Sequence, residues 1–186
     1  MSCAERELEA LRRGIGRCRR CRLDETRTRA VPGEGPAGAR LVFVGEAPGE
    51  TEDARGLPFC GRAGAFLDEM LALAGIGRKS VFVTSAVKCR PPDNRTPRAD
   101  ELETCREAWL ERQIAAMDPG LVVLLGRTPI RQMLGESRPL RAVGGSYREA
   151  GGRHFLLTYH PAAGMRFPEA EKRMRADFEA LGARLR

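Results

Sequence analysis

The stretch LVVLLG, residues 121–126, is the most uniformly apolar run in the chain. It is too short to span a membrane and shows no polar alternation, so it reads as a strand buried on both faces and ended by Gly126. Three further segments read as strands: LVFVG (41–45), VFVTSAV (81–87) and HFLLTYH (154–160). Helical patterns lie between and after them. Residues 62–74 carry Phe66, Leu67, Met70, Leu71 and Ala74 on one side and stop at Gly75. Residues 100–117 carry Leu102, Trp109, Leu110, Ile114 and Met117. TPIRQMLG reads as a short helix opened by Thr128 with Pro129 at its first position, and residues 168–183 close the chain as an amphipathic helix. Strands that are apolar on both faces and alternate with helices predict an α/β architecture, with a central, mainly parallel four-stranded sheet covered by helices on both sides. Ligands in such folds bind beyond the carboxyl ends of the strands. The loops that begin at Gly45, Ser85, Gly126 and His160 should therefore surround one crevice.

With 186 residues, 42% of them hydrophobic, the chain suffices for one core and reads as a single domain over 1–186. A hairpin is expected within 140–153. A short charged helix over 4–13 is followed by a long Arg-rich, Gly/Pro-punctuated connection to residue 40, and a loop of that length needs something to organise it. CRPPDNRTP (89–97), with three prolines, is expected to be irregular. No run has the length of a signal peptide core or a membrane span, so a cytoplasmic protein that leaves membranes alone is expected. Arginine supplies 29 of the 32 basic residues, the lysines being Lys79, Lys88 and Lys172, and the formal net charge is +7. Arginine forks suit phosphate, which makes nucleic acid a candidate partner, although a biased genome also produces Arg-rich chains.

CRRC at 18–21 places Cys18 and Cys21 two residues apart, and Cys89 and Cys105 have fifteen residues between them. A reducing compartment argues against disulfides and favours metal or catalytic use. Four thiolates drawn from these positions would tie residues 1–40, an N-terminal arm, to the body, and would suit zinc or an iron–sulfur cluster. Zinc sites often use two close pairs, whereas only one pair is close here, which favours a [4Fe–4S] cluster. A redox pair or ordinary core burial are the plainer alternatives. Cys60 and Cys3 are expected to be free thiols.

GEAPGETEDARGLPFCGRAG (45–64) is dense in Gly, Pro and polar residues where a strand meets the crevice. It lacks the GK(S/T) end of a nucleotide-binding P-loop and the GxGxxG dinucleotide pattern. GEAPGETED, GLPFCGRAG, VKCRPPDNRTP, LGRTP and YHPAAGMR, with the four spaced cysteines, resemble the type 4 (iron–sulfur, thermostable) uracil-DNA glycosylases, in family order and over nearly the whole chain. The resemblance implies an α/β/α sandwich, a structural [4Fe–4S] cluster on Cys18, Cys21, Cys89 and Cys105, and removal of uracil from DNA by hydrolysis of its N-glycosidic bond. No lysine lies in the first catalytic loop and Lys88 adjoins Cys89, so a monofunctional enzyme is expected, acting as a monomer on single- or double-stranded DNA.

The resemblance also implies roles for individual residues. Phe59 stacks on the flipped uracil. His160 donates to uracil O2 as the departing base gains negative charge; His154, at the start of its strand, is left outside the site. Ala47 stands where type 1 enzymes have a water-activating aspartate, so Glu46 and then Glu52 become the candidates to orient water, with hydrogen bonding of the loop's own backbone the alternative for both. Ser85 replaces an asparagine that type 4 enzymes commonly use to read uracil O4 and N3; a hydroxyl cannot reproduce that paired pattern, and Asn94 is a nearby substitute or a plain turn residue. Met165 is the candidate apolar wedge and Arg166 a phosphate contact, with Arg62, Arg90 and Arg95 as further phosphate candidates. The chain lacks the inserted basic loop of DNA-crosslinking relatives. The rival readings are a glycosylase with relaxed base specificity, a damaged-DNA-binding protein that has lost excision through Ser85, and an electron-transfer protein suggested by the cysteines alone.

Overall fold

The computed structural model describes residues 2–186. The elements run α1 (Cys3–Gly16), β1 (Leu41–Gly45), α2 (Glu50–Arg55), α3 (Arg62–Leu73), β2 (Phe82–Ser85), α4 (Ala99–Cys105), α5 (Glu111–Met117), β3 (Leu121–Leu125), α6 (Arg127–Leu134), α7 (Leu140–Val143), β4 (Tyr147–Ala150), β5 (Arg153–Thr158), α8 (Pro161–Arg166) and α9 (Pro168–Leu185). The sheet has five strands in the order β2-β1-β3-β5-β4. Four are parallel, and β4 pairs antiparallel with β5, Tyr147 opposite Leu156 and Ala150 opposite Arg153. The four-stranded expectation therefore missed one edge strand. Its cause is local: Gly151 and Gly152, both at positive φ, close a tight hairpin, while YREA is largely exposed and carries little apolar signal.

Period-two alternation along the central strands feeds two separate cores. Leu41 and Phe43 of β1, Leu121, Val123 and Leu125 of β3, and Leu156 of β5 pack against Leu67, Met70 and Leu71 of α3 and Met174, Phe178 and Leu181 of α9. Val42, Val44, Val122, Leu124, Phe155 and Leu157 face the other way, onto Leu110, Ile114 and Met117 and onto Ile130 and Val143. Both layers of helices are thus seated on one sheet.

Several local expectations need amending. The polar segment after β1 contains α2, which is too short to show a period. The helix read over 100–117 is α4 and α5 joined through a π-helical turn, Arg106–Leu110, and Pro92–Asn94 forms a single 3-10 turn within the proline segment. Gly126, at φ 94°, precedes the first residue of α6, so Pro129 is its third residue and Thr128 lies inside it.

The arm is held by packing and backbone bonds. Leu11 and Ile15 of α1 join Leu23, Ala86, Val87, Leu102 and Trp109 in a third apolar cluster. Buried Asp53 accepts from the Thr28 and Arg29 N–H groups, at 2.9 and 3.4 Å. Val31 N–H donates to Lys88 O at 2.7 Å, and Glu34 and Val83 exchange both backbone bonds, shielding the outer edge of β2.

In α9, a Cβ added to Gly182 would lie 2.4 Å from the Ala74 carbonyl oxygen. Helix propensity alone favours alanine by about 1 kcal/mol, but backbone cannot yield as a side chain can, and overpacking costs about 1–3 kcal/mol. Gly182→Ala should therefore destabilise the protein, read as a lower urea midpoint. An unchanged or raised midpoint would mean that α9 is not seated tightly on the α3 terminus.

Candidate active site

A cavity of about 250 Å³ opens at the carboxyl ends of β1, β2 and β5. Its walls bring together Glu46, Ala47, Glu52, Phe59, Ser85, Asn94 and His160, with Arg95 at one side. Seven candidates from three separate loops thus meet where an α/β sheet is expected to bind a ligand. Met165 and Arg166 do not line it. They stand at the exposed end of α8, where Met165 keeps 40% of its surface in solvent.

His160 is held in one protonation state and one tautomer. Burial pushes its pKa down to about 4, against a smaller opposing pull from Glu52. The Ala162 N–H donates to Nδ1 at 3.1 Å, so Nδ1 is the acceptor and Nε2 carries the proton of the neutral ring. Its ring centroid lies 5.7 Å from that of Phe59. A Cβ at Gly45 would come within 2.5 Å of the Phe59 ring and 3.6 Å of His160 Nε2, so β1 must end in glycine for these two rings to share the cavity.

Phe59 has φ 49°, a conformation that bulky residues rarely adopt. The surrounding bonds account for its persistence. Glu52 Oε1 accepts from the N–H groups of Cys60 at 2.9 Å and Gly61 at 2.8 Å, and Arg78 donates to Pro58 O at 3.1 Å. A Cβ at Gly64 would sit 1.8 Å from Phe59 O, so α3 approaches this turn as closely as backbone allows. Glu52 is thus engaged with the loop's own backbone. Glu46 accepts from the Thr128 hydroxyl of α6, a partner that sequence reasoning passed over by treating Thr128 as a helix opener.

Asp93 and Asn94 also take positive φ, 54° and 53°. Asn94 Oδ1 accepts from Arg90 Nε at 2.8 Å, which aims the side chain along the cavity wall. Arg95 is committed to a bidentate pair with buried Glu101, at 2.7 and 2.8 Å, so its charge is neutralised where it borders the cavity. Arg62 lies exposed at the start of α3. Lys88, fully buried, has its pKa lowered by desolvation to about 8 and donates to Thr84 Oγ1 at 2.6 Å and Ser85 O at 2.8 Å, steadying the end of β2.

The cysteine expectation is corrected. Cys18, Cys21, Cys89 and Cys105 do converge, around a space of about 10 Å³ that Trp109 and Lys88 also line, but that is the low end of what admits one water. Among the described residues no group of three or more His, Cys, Asp or Glu is placed to hold a metal ion. Neither the [4Fe–4S] cluster nor the zinc alternative fits this arrangement. The sulfurs have other partners: Arg27 donates to Cys89 Sγ at 2.9 Å and the Trp109 indole to Cys18 Sγ at 3.3 Å. Burial pushes the Cys89 thiol up to about 11 and the Cys105 thiol up to about 12. The four cysteines thus belong to the packing that seats the arm.

Comparison with known proteins agrees with this geometry. A profile of the uracil DNA glycosylase superfamily matches residues 32–182. A type-4 uracil-DNA glycosylase of Archaeoglobus fulgidus is 40% identical over 94% of this chain and 92% of its own length. One from Thermotoga maritima is 40% identical, covering 87% of this chain and 85% of its own. A type-5 enzyme of Thermus thermophilus is 35% identical over 78% of this chain and 75% of its own. With a shared profile over most of the sequence and such relatives over nearly its full length, the chain belongs to the uracil DNA glycosylase superfamily, within the type-4 family.

Proposed function

We propose that the protein hydrolyses the N-glycosidic bond of uracil in DNA, releasing free uracil and leaving an abasic strand for base excision repair. Membership in the type-4 family supports this, and the observation that carries it is the neutral His160, whose Nε2–H is fixed as a donor beside an aromatic ring in a cavity at the strand ends. Breaking the bond at C1′ leaves negative charge on the base and positive charge on the sugar. A donor already oriented toward O2 strengthens its bond as that charge grows and needs no reorganisation. Phe59 supplies the stacking face. Glu46, oriented by Thr128, is the residue to position the attacking water; Glu52 acts indirectly, by fixing the turn that presents Phe59.

Ala47 adds no acid or base, so anion stabilisation and positioning carry the rate. Ser85 offers one hydroxyl, and the Asn94 amide N–H₂ group, its oxygen taken by Arg90, is the nearest second reader of the base. Met165 suits the wedge that fills the gap left by the flipped base, with Arg166 on a neighbouring phosphate. Lys88 Nζ is buried and engaged, which fits water rather than an amine as the nucleophile and hence a monofunctional enzyme. Among the described residues no helix is long and apolar enough to cross a membrane. All six cysteines are free of disulfides, which suits a protein working in the reducing cytoplasm.

Single-turnover excision tests these roles. His160→Ala should lower the rate on uracil-containing DNA by about 10² or more, and an unchanged rate would remove the mechanism. Phe59→Ala should weaken engagement of the DNA by about 1–3 kcal/mol. Ser85→Asn should keep or raise activity on uracil while lowering it on hypoxanthine or cytosine; a loss confined to uracil would show that the serine is itself the reader. Borohydride treatment should trap no protein–DNA adduct.

Acid behaviour gives a separate check. The folded pKa of His160, about 4, lies below the ordinary 6.5, so the unfolded chain binds the extra proton between these values. The stability that His160 contributes is full above about 6.5 and is lost as pH falls towards 4. Its ring resonances, followed by NMR, should titrate near 4, and the His160-dependent part of the rate should show no break near 6.5. A titration at 6–7 would place the ring in solvent.

A further inference from the structure

Phe167, which joins α8 to α9, is the most exposed large apolar residue described, with 55% of its surface in solvent. Its backbone is nonetheless fixed: its N–H donates to Ala163 O at 2.9 Å, its carbonyl accepts from Glu171 N at 3.0 Å, and Pro168 holds it extended. The ring borders a second cavity of about 470 Å³, walled by Leu140, Tyr159 and Ala163, with Arg127 at its side. Glu46 and His160 line both this cavity and the one assigned to uracil, so the two share a wall. A strand that delivers a base to the first cavity can lay its next nucleotide along this shared wall. Leu140, Tyr159, Ala163 and Phe167 offer an apolar stretch to the face of a base, Glu169 in the same wall is paired with Arg173, and Arg127 in the lining and Arg166, next to Phe167 in sequence, are the cations available to the phosphates.

Resting on the glycosylase reading, we propose that this cavity is a second base subsite: the nucleobase adjoining the flipped uracil in the same strand stacks on Phe167. The enzyme then senses whether the neighbouring position carries a base. A protein ligand fits less well, because it would occupy the mouth that DNA must use.

The test uses single-stranded oligonucleotides with one uracil, flanked either by ordinary nucleotides or by a tetrahydrofuran residue on the 5′ side, the 3′ side or both. Phe167→Ala should raise the enzyme concentration that half-saturates single-turnover excision about 10-fold on the ordinary substrate. On the substrate lacking the stacked base the effect should fall below about twofold, and Phe167→Trp should restore the ordinary value. An effect equal on all substrates, absent throughout, or seen only in duplex DNA would overturn the proposal, the last by assigning Phe167 to the opposite strand. As a readout independent of the variants, 2-aminopurine beside a non-cleavable 2′-fluoro-deoxyuridine should lose fluorescence when the unaltered protein binds; undiminished fluorescence at saturation would also overturn it. Failure of the unaltered protein to release uracil would count against the glycosylase reading alone, since the 2-aminopurine signal does not depend on excision.

Discussion

Burial of β1 and β3 on both faces is the constraint to which the remaining structure answers. Neither strand meets water, so each needs a hydrogen-bonded neighbour on either side and helices above and below. Parallel pairing then forces each chain crossing through a helix and brings the carboxyl ends of β1, β2, β3 and β5 to one edge. Backbone at that edge leaves the sheet at Gly45, Ser85, Gly126 and Thr158, and the loops that follow have one direction in which to converge. The cavity is therefore a product of strand order before any side chain in it is considered.

Precision inside the cavity comes from short-range devices. One carboxylate, Glu52, gathers the N–H groups of Cys60 and Gly61 and fixes the turn that holds Phe59 at positive φ. The strain of that conformation, about 1–3 kcal/mol, is sustained by these bonds and by the close approach of Gly64. On the opposite wall, Lys88 grips the end of β2 and Gln132 of α6 donates to Ala86 O at 3.1 Å and Leu102 O at 2.8 Å. The arm adds a brace from outside through Asp53, itself on α2. The loops after β1 and β2 are thus each anchored by side-chain hydrogen bonds to backbone.

The strands, the long helices and the crevice were legible because apolar periodicity is a local signal that burial converts directly into layers. The place where the candidate residues near Gly45, Ser85 and His160 gather was legible because strand ends dictate it, whereas their individual roles come from the family resemblance. Other features depend on partners distant in sequence. Nothing in TPIRQM announces that Thr128 binds Glu46, 82 positions earlier, and YREA shows its strand character only through its pairing with β5. The spacing of the cysteines indicated that they would meet, which they do, but not the space between them or the donors, Arg27 and Trp109, already turned toward two of the sulfurs.

The tautomer of His160 bears on what happens after the bond has broken. A charged imidazolium would hold the uracil anion as an ion pair, which is slow to part wherever solvent is excluded. Arg95, which lines that cavity, is neutralised by Glu101. In the mechanism proposed above, a neutral ring gives the anion a hydrogen bond while it forms, and once the base has taken a proton from solvent it leaves only an ordinary dipolar contact. In the proposed mechanism no ion pair has to be broken before the freed base leaves, so the charged abasic strand is the product that the arginine-rich chain holds the longer.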